Sequence, residues 1–164
     1  MIDRYFRRPL VFDYSLAILI CLVLYFFYTK HWFELPKDDY SMSTTTDLST
    51  IALTIAGFIL TLLTVLITFK AASKIQNSSN NEDTPVFDLF FATSLYFQTT
   101  HLLKNCIKSL IFVALIGFSL KLLLNQCFIK YLFFSNVLGL IIIGMTLSRS
   151  LLILSKIIQL QKEK

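Results

Sequence analysis

Long apolar runs alternate with short polar segments along the chain, and four of these runs approach or reach the length of a membrane span. A helix needs about 20 apolar residues to cross a hydrocarbon layer about 30 Å thick. The second run reaches this length unaided, whereas the others need interfacial aromatic residues or lysines at their ends. The predicted spans are residues 14–28, 48–69, 107–124 and 132–147, with Asp47 as the N-cap of the second.

The composition supports a membrane location for the whole chain. Hydrophobic residues make up 55% of the 164 residues, and the mean hydropathy is +0.69. Ordinary soluble domains are about 45–50% apolar, and a soluble core of this size could not bury the excess. We therefore predict an all-α integral membrane protein with one domain of four transmembrane helices.

The distribution of basic residues predicts the orientation of these helices. Eleven of the 15 lysines and arginines lie on the side that carries both termini and the segment between the second and third spans. Because cytoplasmic loops carry the excess of Lys and Arg, we expect both termini and the segment between the second and third spans in the cytoplasm. Aromatic residues gather at the ends of the first and fourth spans that lie away from the cytoplasm. The outer headgroup region favours such residues.

Helical segments are also predicted outside the membrane. After the polar segment 76–85, neither Pro nor Gly interrupts the sequence from Pro85 until Gly117, so one helix can run from Pro85 to about Asn125. Such a helix is about 60 Å long, twice the hydrocarbon thickness. We predict cytoplasmic helical extensions at about 70–106 and 149–161. They either form a small bundle next to the membrane, the arrangement we favour, or lie flat in the headgroup region.

One face of the predicted extension is apolar and is a candidate docking surface. Its residues recur at helical spacing, and an apolar face outside the membrane is typical of a contact with another protein. We expect it to bind a sister subunit or a cytosolic protein. The docking face consists of Phe87, Phe91, Leu95 and Leu102.

Small residues recur every three or four positions in the second span and therefore share one side of that helix. In a bilayer, helices associate through close packing of small residues and through hydrogen bonds worth about 0.6–2 kcal/mol, because lipid and leucine are equally apolar. The fourth span carries two similar pairs, Ser135 with Gly139 and Gly144 with Ser148. The threonine face of the second span comprises Thr50, Thr54, Gly57, Thr61, Thr64 and Thr68.

The threonine face predicts either a helix contact or the lining of a pore. A threonine hydroxyl can bond to its own helix, and no predicted span has an Asp, Glu, Arg or His at its centre to mark an ion path. We therefore favour helix packing, either within one subunit or in a homo-oligomer. The alternative is a pore whose walls include Thr54, Gly57, Thr61 and Thr64.

Three charged residues fall near the ends of the predicted spans. A charge at the bilayer centre costs about 2.5–3.5 kcal/mol, so an interfacial position is expected for each of them. Lys121 should reach the outer headgroups. Asp13 and Arg149 should lie at the inner boundary and pair or anchor there.

No pattern in the sequence predicts catalysis. The two histidines, His31 and His101, fall on opposite sides of the membrane, and the three cysteines have no metal-site or disulfide spacing. The sequence has four glycines in total and contains no glycine-rich motif that could bind phosphate. We expect no enzyme activity, cofactor or metal site, and no direct binding of nucleic acid, because no basic block interleaves with exposed aromatics.

With its four short spans, internal termini, small-residue-rich second span (TDLSTIALTIAGFILTLLTVLITF) and many lysines and asparagines, the chain resembles small membrane proteins of bacterial defence operons. The membrane subunit of Kiwa-type antiphage systems is the nearest comparison. The resemblance covers the architecture of most of the chain and implies an oligomeric inner-membrane component that senses phage attack and recruits a cytosolic partner. The predicted function is a non-enzymatic oligomeric scaffold or sensor, and the alternative is an oligomeric channel or membrane-depolarising effector.

Overall fold

The structure, a computed structural model, describes residues 9–76 and 94–162 and is helical throughout these ranges apart from the connections. Four long helices follow one another: α1 (Pro9–Thr29), α2 (Asp38–Gln76), α3 (Ser94–Leu123) and α4 (Leu132–Lys162). A short 3₁₀ segment, Gln126–Tyr131, precedes α4. No β-strand occurs in the described ranges, so the prediction of an all-α fold is confirmed there.

All four helices are long and apolar enough to cross a membrane. The qualifying segments are Leu10–Thr29, Asp38–Ala71, Tyr96–Leu123 and Phe128–Ser155, with mean hydropathies between 2.0 and 2.5. Their number agrees with the sequence analysis, and they indicate a multi-pass membrane protein. Each helix is longer than the span predicted for it, although α3 ends at Leu123, one residue before its predicted end.

The predicted start of the second helix at Asp47 is wrong, because α2 begins at Asp38. Asp38 and Asp39 place negative charge in the first turn, where the helix dipole favours it. Ser41 and Thr45, which precede the predicted N-cap, are each only 2% exposed. Burial against the other helices therefore keeps this polar stretch helical.

A Schellman motif ends α1 without a glycine. The amide of His31 donates to the carbonyl of Tyr28 (3.0 Å), and the amide of Trp32 donates to that of Phe27 (3.2 Å). His31 adopts a left-handed backbone conformation with φ of 56°. The rings of Phe27 and Trp32 stack with their centroids 5.1 Å apart, the apolar contact that commonly accompanies this motif.

The helices form a bundle in which α2, α3 and α4 surround the core and α1 packs along α4. Contacts of Ser49 with Gly117, and of Lys70 with Tyr96, show that α2 and α3 run antiparallel. Short side chains on α2 face larger ones on α3 and α4. The buried core consists of Ala52, Ala56, Ile59, Leu63, Leu66, Tyr96, Leu103, Cys106, Leu110, Ala114, Ile143 and Ile153.

The helices continue into the regions predicted as cytoplasmic extensions. Residues 70–76, 94–106 and 149–162 are helical, whereas 77–93 lie outside the described residues. Tyr96 and Ile153 belong to the same buried cluster as Leu66. The ammonium of Lys70 lies 4.0 Å from the ring centroids of both Tyr96 and Phe97. Cation–π contacts of this kind fasten the end of α2 to the start of α3.

Candidate functional site

The threonine face points away from the bundle. All six of its residues are exposed, whereas the buried side chains of α2, such as Ala56, Ile59 and Leu63, lie on the opposite side of the helix. A methyl group added at Gly57 would meet no atom within 4 Å. The threonine face therefore lies on the outer surface of the bundle that the described residues form.

The hydroxyls of the threonine face are bonded within α2 itself. Each donates to the carbonyl four residues earlier, at 2.9 Å for Thr50 and Thr54 and at 3.0 Å for Thr61, Thr64 and Thr68. Their donors are therefore satisfied without water. The face can pack against an apolar surface without leaving a hydroxyl hydrogen unpaired.

Larger side chains border the threonine face on both sides. A helix advances about 100° per residue, which places two apolar rows next to the small residues. The threonine face is thus a shallow groove between two exposed ridges. One ridge holds Ile51, Phe58 and Val65, and the other holds Leu53, Leu60 and Ile67.

A different small-residue face of α2 makes the contacts inside the bundle, and sequence reasoning missed it. Ser41, Thr45, Ser49, Ala52 and Ala56 recur every three or four residues and are all buried. A methyl group added at Gly117 of α3 would collide with the hydroxyl of Ser49. The spacing alone could have identified this face, but its first two residues, Ser41 and Thr45, lie before the predicted start of the second span.

The two small-residue pairs of α4 face in different directions. Gly139 is buried, and a methyl group there would lie 3.5 Å from Cγ1 of Val113 on α3. Ser135 is half-buried, while Gly144 and Ser148 are exposed. Only the first pair therefore contributes to the bundle interior.

Asp13 and Arg149 meet in the interior and form an ion pair. Asp13 is 0% exposed and Arg149 2%, and Nη2 of the arginine donates to the aspartate carboxylate. Nη1 of Arg149 also lies 3.9 Å from Sγ of Cys106. Near this pair, the hydroxyls of Tyr14 and Ser109 are 3.0 Å apart. The sequence analysis expected Asp13 and Arg149 to pair or anchor, but gave Cys106 no part in the contact.

A second polar cluster lies at the other end of the bundle. The Asn136 side chain donates to the carbonyl of Ser41 (2.9 Å) and accepts from the Thr45 hydroxyl (2.8 Å). Lys121 is exposed near the end of α3 and donates to the Thr46 hydroxyl at 2.6 Å. These bonds join α2 to α3 and α4 at the end where α2 begins.

Most of the predicted docking face lies beyond what the structure describes. Phe87 and Phe91 fall outside the described residues, as does the side chain of Leu95. Leu102 is half-buried and packs against the core.

Within residues 9–76 and 94–162, no three His, Cys, Asp or Glu residues gather as metal ligands would. No family model matches the chain, and no curated protein or solved structure is similar to it.

Proposed function

We propose that this chain is a non-enzymatic scaffold or sensor of the bacterial inner membrane, with both termini in the cytosol, that assembles with copies of itself and recruits a cytosolic partner. The observation that carries the proposal is the outward direction of the threonine face. Six small residues are exposed in a row on the side of α2 opposite the bundle core. This face is free to meet a second copy of the chain.

Packing physics supports a protein contact at the threonine face. Small residues let two helix backbones approach closely, and van der Waals contact is the main attraction between helices in lipid. The open space at Gly57 provides the point of closest approach. The ridges around Phe58 and Leu60 can enclose the partner helix. Because the threonine hydroxyls are already bonded, this contact needs no water.

The recruitment of a cytosolic partner rests on the docking face and on the helical extensions. Phe97 is 64% exposed and carries the Lys70 ammonium over its ring, which gives this end of the bundle an apolar and cationic surface. Exposed aromatic residues of this kind favour protein contacts. The resemblance to Kiwa-type membrane subunits implies that the partner acts in phage defence.

Light scattering of the detergent-purified protein during size-exclusion chromatography tests the assembly. We expect an oligomer for the wild type and dissociation for Gly57→Leu and Thr61→Leu, since the added side chains fill the groove. Ser15→Leu adds similar bulk to an exposed position of α1 and should leave the oligomer intact. A monomeric wild type, or equal assembly in all variants, would overturn the proposed contact.

The alternative function is a channel or depolarising effector lined by Thr54, Gly57, Thr61 and Thr64. One observation favours it: these residues are exposed, and each hydroxyl oxygen keeps a lone pair that can accept a hydrogen bond from water. Ion flux through reconstituted liposomes, abolished by Thr61→Leu, would establish the channel. Liposomes that stay tight while the protein remains oligomeric would exclude the channel and leave the scaffold.

A further inference from the structure

The hydroxyl of Thr146 on α4 is buried and makes no hydrogen bond to the described part of the chain. The residue is 0% exposed. A helical threonine can donate to the carbonyl four residues earlier, as Thr54 and Thr61 do. Thr146 does not make this bond, so its hydroxyl is directed into the bundle. The hydroxyls of Ser41 and Thr100 are in the same state, but Thr146 is the one that lies beside a charged pair.

Thr146 lies about one helical turn from the ion pair of Arg149 and Asp13. It precedes Arg149 by three residues, a spacing that places the two Cβ atoms about 5–6 Å apart on one side of a helix. A helical side chain leans toward the N-terminus of its helix, so the Arg149 side chain reaches back over the turn that holds Thr146. Both residues are buried. The Thr146 hydroxyl and the ion pair therefore share one part of the interior.

Two further hydroxyls lie at the level of Thr146. Cys106 of α3 contacts Arg149, and α3 runs antiparallel to α4. Ser109, three residues after Cys106, is therefore displaced from the ion pair in the same direction as Thr146. The hydroxyl of Ser109 lies 3.0 Å from that of Tyr14 on α1. Since only one of these two groups donates in their bond, the other keeps a hydrogen that needs an acceptor.

These groups favour a small neutral ligand that can both donate and accept hydrogen bonds. Asp13 and Arg149 compensate each other, so the site has no net charge to attract an ion. More than about 90% of buried polar groups in proteins have a partner, and ordered water serves where the protein provides none. Proteins hold about one buried water per 27 residues. Water is the ligand that matches both the charge and the hydroxyls of this site.

We propose that one internal water molecule is bound where α1, α3 and α4 meet. It donates to the Thr146 oxygen and to the Asp13 carboxylate, and it accepts the hydrogen that the Tyr14–Ser109 bond leaves over. About three hydrogen bonds are usual for a buried water. The water joins α4 to α1 and α3 beside the ion pair and so takes part in attaching α1 to the bundle. This site is independent of the proposed self-assembly.

Water-edited solid-state NMR of the isotope-labelled protein in lipid vesicles tests the site directly. Magnetisation starts on water protons in this experiment and reaches the residues that lie next to water. We expect the Thr146 signal, assigned by its loss in Thr146→Val, to build up faster than that of Ile59, which is also 0% exposed but belongs to the apolar core. Equal build-up at both residues would overturn the water site, whatever the number of chains in the assembly.

Thermal unfolding of Thr146→Val gives an independent test through the sign of its effect. Valine has the shape of threonine without the hydroxyl, so it removes a partner of the water and should lower Tm by about 2–4 °C. If the hydroxyl had no partner, valine would remove an unpaired buried group and raise Tm.

Thr29→Val is the matched control. The hydroxyl of Thr29 is exposed and donates to the carbonyl of Phe26 in its own helix (2.7 Å), so its loss should leave Tm unchanged. A Tm for Thr146→Val equal to or higher than that of Thr29→Val would overturn the proposal.

Discussion

Asp13 of α1 and Arg149 of α4 form an ion pair inside the bundle, although 136 residues separate them in the sequence. Both side chains are removed from solvent, so neither charge has bulk water as an alternative partner. Removing one member of a buried pair leaves the other charge uncompensated, at a cost of about 3–5 kcal/mol. The pair therefore specifies how α1 docks on α4.

The first prediction concerns this pair. Asp13→Leu or Arg149→Met alone should lower the stability of the bundle by about 3–5 kcal/mol, because each leaves a buried charge unpaired. The double variant Asp13→Leu/Arg149→Met should recover most of this loss. Thermal unfolding in detergent measures the three variants as a double-mutant cycle. Purely additive losses would contradict a direct coupling between the two residues.

A second prediction concerns the close approach of α2 and α3. Gly117→Ala should destabilise the protein by about 1–3 kcal/mol, because the new methyl group collides with the Ser49 hydroxyl. Ser49→Ala removes that oxygen and leaves the Ser49 Cβ 3.7 Å from the new methyl group, an ordinary contact. The double variant should therefore unfold close to the wild-type temperature.

Gly144→Ala is the control for the Gly117 variants. A methyl group at Gly144 would meet no atom within 4 Å, and alanine is the better helix former by about 1 kcal/mol. This variant should be as stable as the wild type or more so. If Gly117→Ala were equally harmless, the close approach would not constrain the bundle.

A third prediction concerns the end of α1. His31 has a positive φ, which costs a residue with a side chain about 1–2 kcal/mol. His31→Gly should therefore raise the unfolding temperature, whereas His31→Ala should not, since alanine keeps the strain. Differential scanning fluorimetry of both variants checks this, and a gain for alanine equal to that for glycine would argue against strain at His31.

A fourth prediction concerns orientation. A thiol introduced at Asp39→Cys should react with a membrane-impermeant maleimide added outside intact cells, and one at Gln159→Cys should react only after the membrane is opened. Both positions are exposed at opposite ends of the bundle. The wild type gives the background from the native cysteines. Labelling of position 159 in intact cells would invert the proposed topology.

The number of helices could be predicted from the sequence, but their ends could not. Hydropathy detects the length of apolar runs, so it identified four spans and started the second one at residue 48. It could not see that Ser41 and Thr45 are buried against Asn136, because that contact joins residues about 90 positions apart. Tertiary hydrogen bonds extend α2 through a stretch whose composition is typical of a loop.

The roles of the small residues were only partly readable from their spacing. Periodicity placed the threonine face on one side of α2, but it could not tell which side the other helices cover. The position of Asp13 and Arg149 suggested a pair at the membrane boundary, whereas their burial and the neighbouring Cys106 depend on the packing of α1, α3 and α4. Burial and contacts of this kind can be recognised only once the tertiary structure is known.

Self-assembly through the threonine face is the central claim, and counting subunits in the native membrane tests it most directly. The measurement is stepwise photobleaching of single fluorescent spots in cells that express the chain with a fluorescent protein at its C-terminus. We predict several bleaching steps per spot for the wild type and for Ser15→Leu, and single steps for Gly57→Leu combined with Thr61→Leu. Single steps for the wild type, or unchanged multiple steps for the double variant, would contradict the account.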